Sequence, residues 1–225
     1  MKGSREGGTA SSLTDLMASL VAVFVLLFVA AQNNRGAGMK NARDTLLRSL
    51  EGQLAEAGIE QWAVDSIPND PSTVIIVLPD SVLFDRGSDI MKAAGQTEVE
   101  RATPVLAGVL CDPDMVGQLD QLVVEGHTDN TIRYGFSPED GRMYNLALSQ
   151  RRSMHFVQTS TTALRGDEGL LGCYLQLVSA TGRGQEDLLP NVPGDAAQQR
   201  RVLLRIRLRT DLADTVRIAT DRLRP

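Results

Sequence analysis

The longest apolar run is LTDLMASLVAVFVLLFVAA at residues 13–31, 19 residues with one ionisable side chain, Asp15. As a helix rising about 1.5 Å per residue it would be about 28 Å long, close to the hydrocarbon thickness of a bilayer. The pattern therefore predicts a single transmembrane helix over 13–31, preceded by a short N-terminus at 1–12. QNNRGAG then reads as a polar, glycine-containing break. Residues 39–59 read as a helix with Leu46, Leu47, Leu50 and Leu54 on one side, so 32–71 becomes a linker with a spacer helix or a dimer-forming one. Beyond Pro68 and Pro71 strands and helices alternate: a β-branched strand at 73–78, a helix at 89–110, a strand at 119–125, a helix at 144–164, and strands at 174–179 and 201–208. In the last strand Val202, Leu204, Ile206 and Leu208 alternate with Leu203, Arg205, Arg207 and Arg209, the period of a half-exposed strand. The expected fold class is α/β: a transmembrane helix, then a sandwich of βαβαββ type over 72–210 with helices on one face of a mixed sheet, and a tail at 211–225.

Composition narrows the function. The 225 residues carry 23 basic and 28 acidic side chains, a net charge of -5, so no broad basic surface is available for nucleic acid. Cys111 and Cys173 stand far apart with no metal-ligand spacing around them, which argues against a zinc site. They are either two separate buried thiols or, in an oxidising compartment, one disulfide closing a long loop. No serine, cysteine or second histidine forms a nucleophile arrangement, so no enzyme, cofactor or metal is expected.

Asp15 admits two readings. Ser12 and Asp15 fit a capping box, in which an acidic side chain near a helix start complements free amides and the helix dipole. Alternatively Asp15 lies within the span, where a charged group is costly and is retained for a task such as relaying a proton between dry and wet surroundings. Ser19 is one turn on and shares its face. A single span cannot enclose a pore, so ion conduction requires a multi-span partner. Cleavage as a signal peptide is the competing fate of the segment, but the run is longer than a usual h-region and carries a carboxylate. Basic residues flank both ends (Lys2 and Arg5, then Arg35, Lys40 and Arg43), so the positive-inside count does not choose a side.

On the second long helix Asn145, Ser149 and Arg152 share one face, and a strand-end loop carrying His127, Thr128 and Asp129 could oppose them. Asp129 would meet an amine and Arg152 a carboxylate, the two halves of a small zwitterion. A structural Asp129–Arg152 salt bridge is the alternative. His127 reads as a hydrogen-bonding scaffold residue and His155 as an ordinary helix residue.

Several ordered motifs carry a resemblance. SVLFDRGSDIM, VEGHTDN, NLALSQRR and, after Gly182, Gly184 and Pro190, QRRVLLRI resemble the OmpA-like peptidoglycan-binding domain over about residues 72–208. TDLM followed by ASLVAVFVLLFV resembles the transmembrane helix of MotB-type stator proteins. The short N-terminus and enlarged C-terminal domain look closest to the ZorB branch of that family, from Zorya anti-phage defence, with flagellar MotB as the neighbour. The resemblance implies an inner-membrane, single-pass stator with a cytoplasmic N-terminus and periplasmic C-terminal domain. It implies a pentameric ring of MotA/ZorA-like multi-span subunits around a homodimer of this chain. Asp15, with Ser19, would handle a proton, or sodium in some members. Peptidoglycan diaminopimelate would meet His127, Thr128, Asp129, Asn145, Arg152 and Arg200. Three departures stand out: a long segment TIRYGFSPEDGRMY, Gln199 for the usual asparagine, and Asp195 for an arginine.

Overall fold

A computed structural model describes residues 7–68 and 70–209, with side chains for 14–30, 38–68 and 70–209. Residues 1–6 of the predicted N-terminus and the predicted tail at 211–225 lie outside the described residues. The chain divides into two compact units, 1–41 and 42–225.

In the first unit the described residues form the start of α1 (Gly7–Glu56). Residues 32–38, expected as a break, are helical. The segment contains glycines but no proline, so each turn keeps its amide donors, and Gly36 and Gly38 each cost only about 1 kcal/mol relative to alanine. Leu16, Leu20, Phe24, Leu27 and their neighbours are exposed all around this helix. Among the described residues no helix is long and apolar enough to cross a membrane; the described side chains of the apolar run cover 14–30 only.

The second unit is a mixed α/β fold. Its sheet has five strands in the order β1-β2-β5-β3-β4: β1 (Ala63–Ser66), β2 (Thr73–Pro79), β3 (Leu119–His127), β4 (Val178–Gly184) and β5 (Arg201–Leu208). The β3–β4 pair is parallel and the other pairs antiparallel. α2 (Asp80–Leu83), α3 (Ala93–Leu110), α4 (Pro138–Ala163) and α5 (Glu168–Leu177) complete it. Period-two alternation sorts the sheet's faces. Val74, Ile76 and Leu78 pair with Ile206, Leu204 and Val202, and Leu122 and Val124 extend this row. All are buried in the core, joined there by Leu46, Leu50 and Leu54 from the C-terminal turns of α1.

Three elements of this unit differ from expectation. Residues 174–177, expected as strand, end α5 instead. Asp167 caps that helix by accepting from the Leu170 amide, and Leu170, Tyr174 and Leu177 recur at helical spacing with Tyr174 and Leu177 buried. α4 begins at Pro138 rather than 144, because Ser137 caps it and Pro138 occupies its first turn, so half of the long segment is helix. The edge strand β1 was not expected at all. Cys111, at the end of α3, is disulfide-bonded to Cys173 of α5, with the Cα atoms 6.1 Å apart.

Candidate functional site

The site lies where the C-terminal end of β3 meets α4, and a glycine pair permits their close approach. Gly126 and Gly182 are register partners on β3 and β4. A Cβ on Gly126 would come within 2.2 Å of the Ser149 carbonyl oxygen, and one on Gly182 within 2.5 Å of the Gln150 amide nitrogen. No side chain fits at either position, so α4 sits directly against the sheet. Ser149 uses this proximity structurally, accepting from the Gly184 amide at 2.9 Å.

A cleft of about 470 Å³ opens beside this seam, lined among others by Thr128, Asp129, Asn145, Arg152 and Arg200. Asn145 donates to the Gln185 side chain at 2.8 Å and to the carbonyls of Asp129 and Thr131 at 3.3 Å, fixing the loop that carries the acid. The Thr128 amide donates to the Gly184 carbonyl at 2.8 Å, while its hydroxyl is buried without a partner. Asp129 is paired with Arg200 at 2.5 Å rather than with Arg152. Gln199, fully buried, accepts from the Leu189 amide at 2.7 Å and donates to the Val192 carbonyl at 3.1 Å. The longer amide thereby staples the 189–193 loop and presents Arg200.

Arg152 is 1% exposed, and its nitrogens are engaged. Nε donates to the Ser88 carbonyl at 2.8 Å and Nη2 to the Asp85 carbonyl at 3.0 Å. Nη1 lies 2.8 Å from Asp80 Oδ1, at ion-pair distance but off the hydrogen-bond angle, so that contact is electrostatic. The guanidinium also rests over the Phe84 ring at 5.1 Å. Asp80 is 2% exposed, and its second oxygen is 4.0 Å from Arg200 Nε. Arg152, Asp80, Arg200 and Asp129 thus form one alternating chain of charges. Burial pushes the Asp80 carboxyl up to about 6, against the opposing pull of Arg152 and Arg200. Asp80 drew no attention in the sequence, where an acid after proline reads as a turn.

His127 is absent from the cleft lining. Alternation turns it, with Glu125, to the sheet face opposite Gly126. Its Nε2 lies 3.5 Å from Glu125 Oε2, and neither ring nitrogen has a hydrogen-bond partner. Burial holds this imidazole below its ordinary value, with Glu125 pulling the other way. Glu125 is bound by both nitrogens of an Arg205 fork at 3.1 and 3.2 Å. Despite burial, the Arg205 fork and the nearby His127 ring hold its carboxyl down at about 2. Glu125, His127 and Asp187 bring one ligand atom each within 4.8 Å of one another. Arg205 on Glu125, and Arg201 donating to the Asp187 carbonyl at 3.0 Å, already supply positive charge there, which favours an ion-pair network over a metal centre. In the first unit Asp15 and Ser19 share a face of α1, with the Ser19 hydroxyl donating to the Asp15 carbonyl at 2.9 Å.

The chain is similar to a protein from Desulfovibrio vulgaris described as MotB-like, with a TM-score of 0.54 and 18% identity over 77% of this chain and 99% of that one. The fold is MotB-like. Also similar are the periplasmic domain of Helicobacter pylori MotB (TM-score 0.49, 18% identity, 74% and 91% covered) and the cell wall anchor of the T6SS from Pseudomonas aeruginosa (0.46, 21%, 71% and 97%). No family model and no curated protein matches the chain.

Proposed function

We propose that the chain is the wall-anchored, single-span subunit of an ion-driven membrane motor, of the ZorB kind found in anti-phage defence. What carries the reading is the conjunction, in one chain, of a MotB-like fold and a helix exposing apolar side chains on every side around a single acid, Asp15. A helix apolar all round needs lipid or a partner to cover it. In this reading α1 spans the inner membrane, a ring of multi-span MotA/ZorA-like subunits surrounds two copies of the chain, and Asp15 takes up and releases a proton. The disulfide suits an oxidising periplasm for the second unit.

In the cleft the ligand is the diaminopimelate of a peptidoglycan stem peptide. Its ammonium and carboxylate replace the two halves of the Asp129–Arg200 pair, so neither protein charge is left uncompensated. Arg200 takes the carboxylate. Arg152, occupied by Asp80 and two carbonyls, positions Arg200 through Asp80 and forms the floor of the cleft. The function is binding and force transmission, without catalysis.

Asp129→Ala combined with Arg200→Ala is expected to abolish co-sedimentation of the full-length protein with purified peptidoglycan at an unchanged unfolding midpoint; wild-type sedimentation would refute the site. Flagellar drive and passive tethering are the other uses of such a chain. Asp15→Asn keeps size and capping ability while removing the charge, and is expected to eliminate phage protection, or motility, while leaving wall binding intact. A passive tether would keep full activity.

A further inference from the structure

The segment joining β3 to α4 forms a built lip on the cleft. Arg133 lies over two rings, 5.9 Å from the Phe136 centroid and 5.6 Å from that of Tyr144. Those rings meet edge to face at 5.6 Å. The Tyr144 hydroxyl donates to the Gly87 carbonyl at 3.2 Å, which ties this lip to the loop on the cleft's other side. Ile132 packs so closely on Gly141 that a Cβ there would come within 2.8 Å of it. The lip is therefore held by aromatic, cation–π and apolar contacts together.

From this fixed lip Tyr134 projects at 103% relative exposure, and it lines the same cleft as Asp129 and Arg200. A large aromatic left wholly in water at the mouth of a polar cleft has gained nothing from folding. Its flat apolar face with a polar rim complements the C–H face of a pyranose ring. Arg133 beside it supplies a rigid donor fork of the kind that hydroxyl and acetamido oxygens accept.

We propose that the lip carrying Arg133 and Tyr134 is a sugar-binding subsite that holds the amino-sugar glycan from which the stem peptide branches. The inference rests on the peptidoglycan reading of the cleft. If the peptide occupies the Asp129–Arg200 end, the glycan attached a few residues away must leave over a rim, and this rim carries the chemistry to hold it. The long segment 130–144 then widens recognition from one amino acid to a sugar and peptide together.

The test uses full-length protein in detergent micelles, titrated by calorimetry with a diaminopimelate-containing stem tripeptide and with the same peptide attached to its disaccharide. The disaccharide-peptide is expected to bind about tenfold more tightly than the free peptide. Tyr134→Ala should remove that advantage without changing tripeptide affinity, and Tyr134→Trp should retain it. Equal affinity of the wild type for both ligands, or an advantage that survives in Tyr134→Ala, overturns the sugar subsite while leaving the peptide site standing. Binding of neither ligand overturns both.

Discussion

Asp80→Ala is expected to destabilise the second unit by about 3 to 5 kcal/mol in denaturant melts, because it leaves Arg152 buried at 1% exposure without its carboxylate. Arg152→Met should cost a similar amount by stranding Asp80. The double replacement Asp80→Leu with Arg152→Met should cost much less than the sum, since it removes both desolvation penalties at once. A strictly additive double variant would show that the two side chains act independently. The pH dependence has a definite sign. Folding raises the Asp80 carboxyl from 3.8 to about 6, so the fold favours its protonated form. That contribution, roughly 3 kcal/mol at 1.36 kcal/mol per pH unit, is fully present below about pH 4 and lost as pH rises through about 6. Asp80→Asn should flatten the stability profile across that window. Glu125 works in the opposite direction. Its carboxyl is held down at about 2, so its contribution is complete above about pH 4.5 and fades on acidification through 2.

Reduction of the Cys111–Cys173 bond, or replacement of both residues with serine, should produce a loss of comparable size. The bond joins residues separated by 62 positions, and in the chain-entropy account a loop of that length contributes about 4 kcal/mol. For a protein of this size that lowers the melting midpoint by roughly 8 to 16 °C. The effect should be concentrated in α5, a helix of ten residues that buries only Tyr174 and Leu177. Hydrogen exchange should show α5 losing protection before β3 and β5 do. An unchanged midpoint after verified reduction would mean that packing alone holds α5.

Much of the second unit was legible in its residues because burial and period agree. The alternation of Val202, Leu204, Ile206 and Leu208 marked β5, and the β-branched run marked β2. The 174–177 stretch misled because YLQL suits a strand by composition, whereas its conformation is set upstream by the Asp167 cap and by the tether at Cys173. β1 is four residues of alternating exposed and half-buried positions, too short to announce itself. The join at 32–38 looked like a break because glycine and asparagine lower helix propensity, yet nothing there forbids the next turn. At the site, Asp129, Asn145 and Arg152 could be picked out by motif and helical spacing. The partners could not. Whether Asp129 meets Arg152 or Arg200 depends on where β5 delivers Arg200, and Asp80 matters only because distant segments bury it between two guanidinium groups.

The seam at Gly126 and Gly182 has a corollary for how such a protein can diverge. Even one methyl group added there would strike main-chain atoms of α4, and α4 carries Asn145 and Arg152 on the same rigid rod. A tiny change beneath the sheet surface would thus be transmitted as misalignment at the mouth of the cleft.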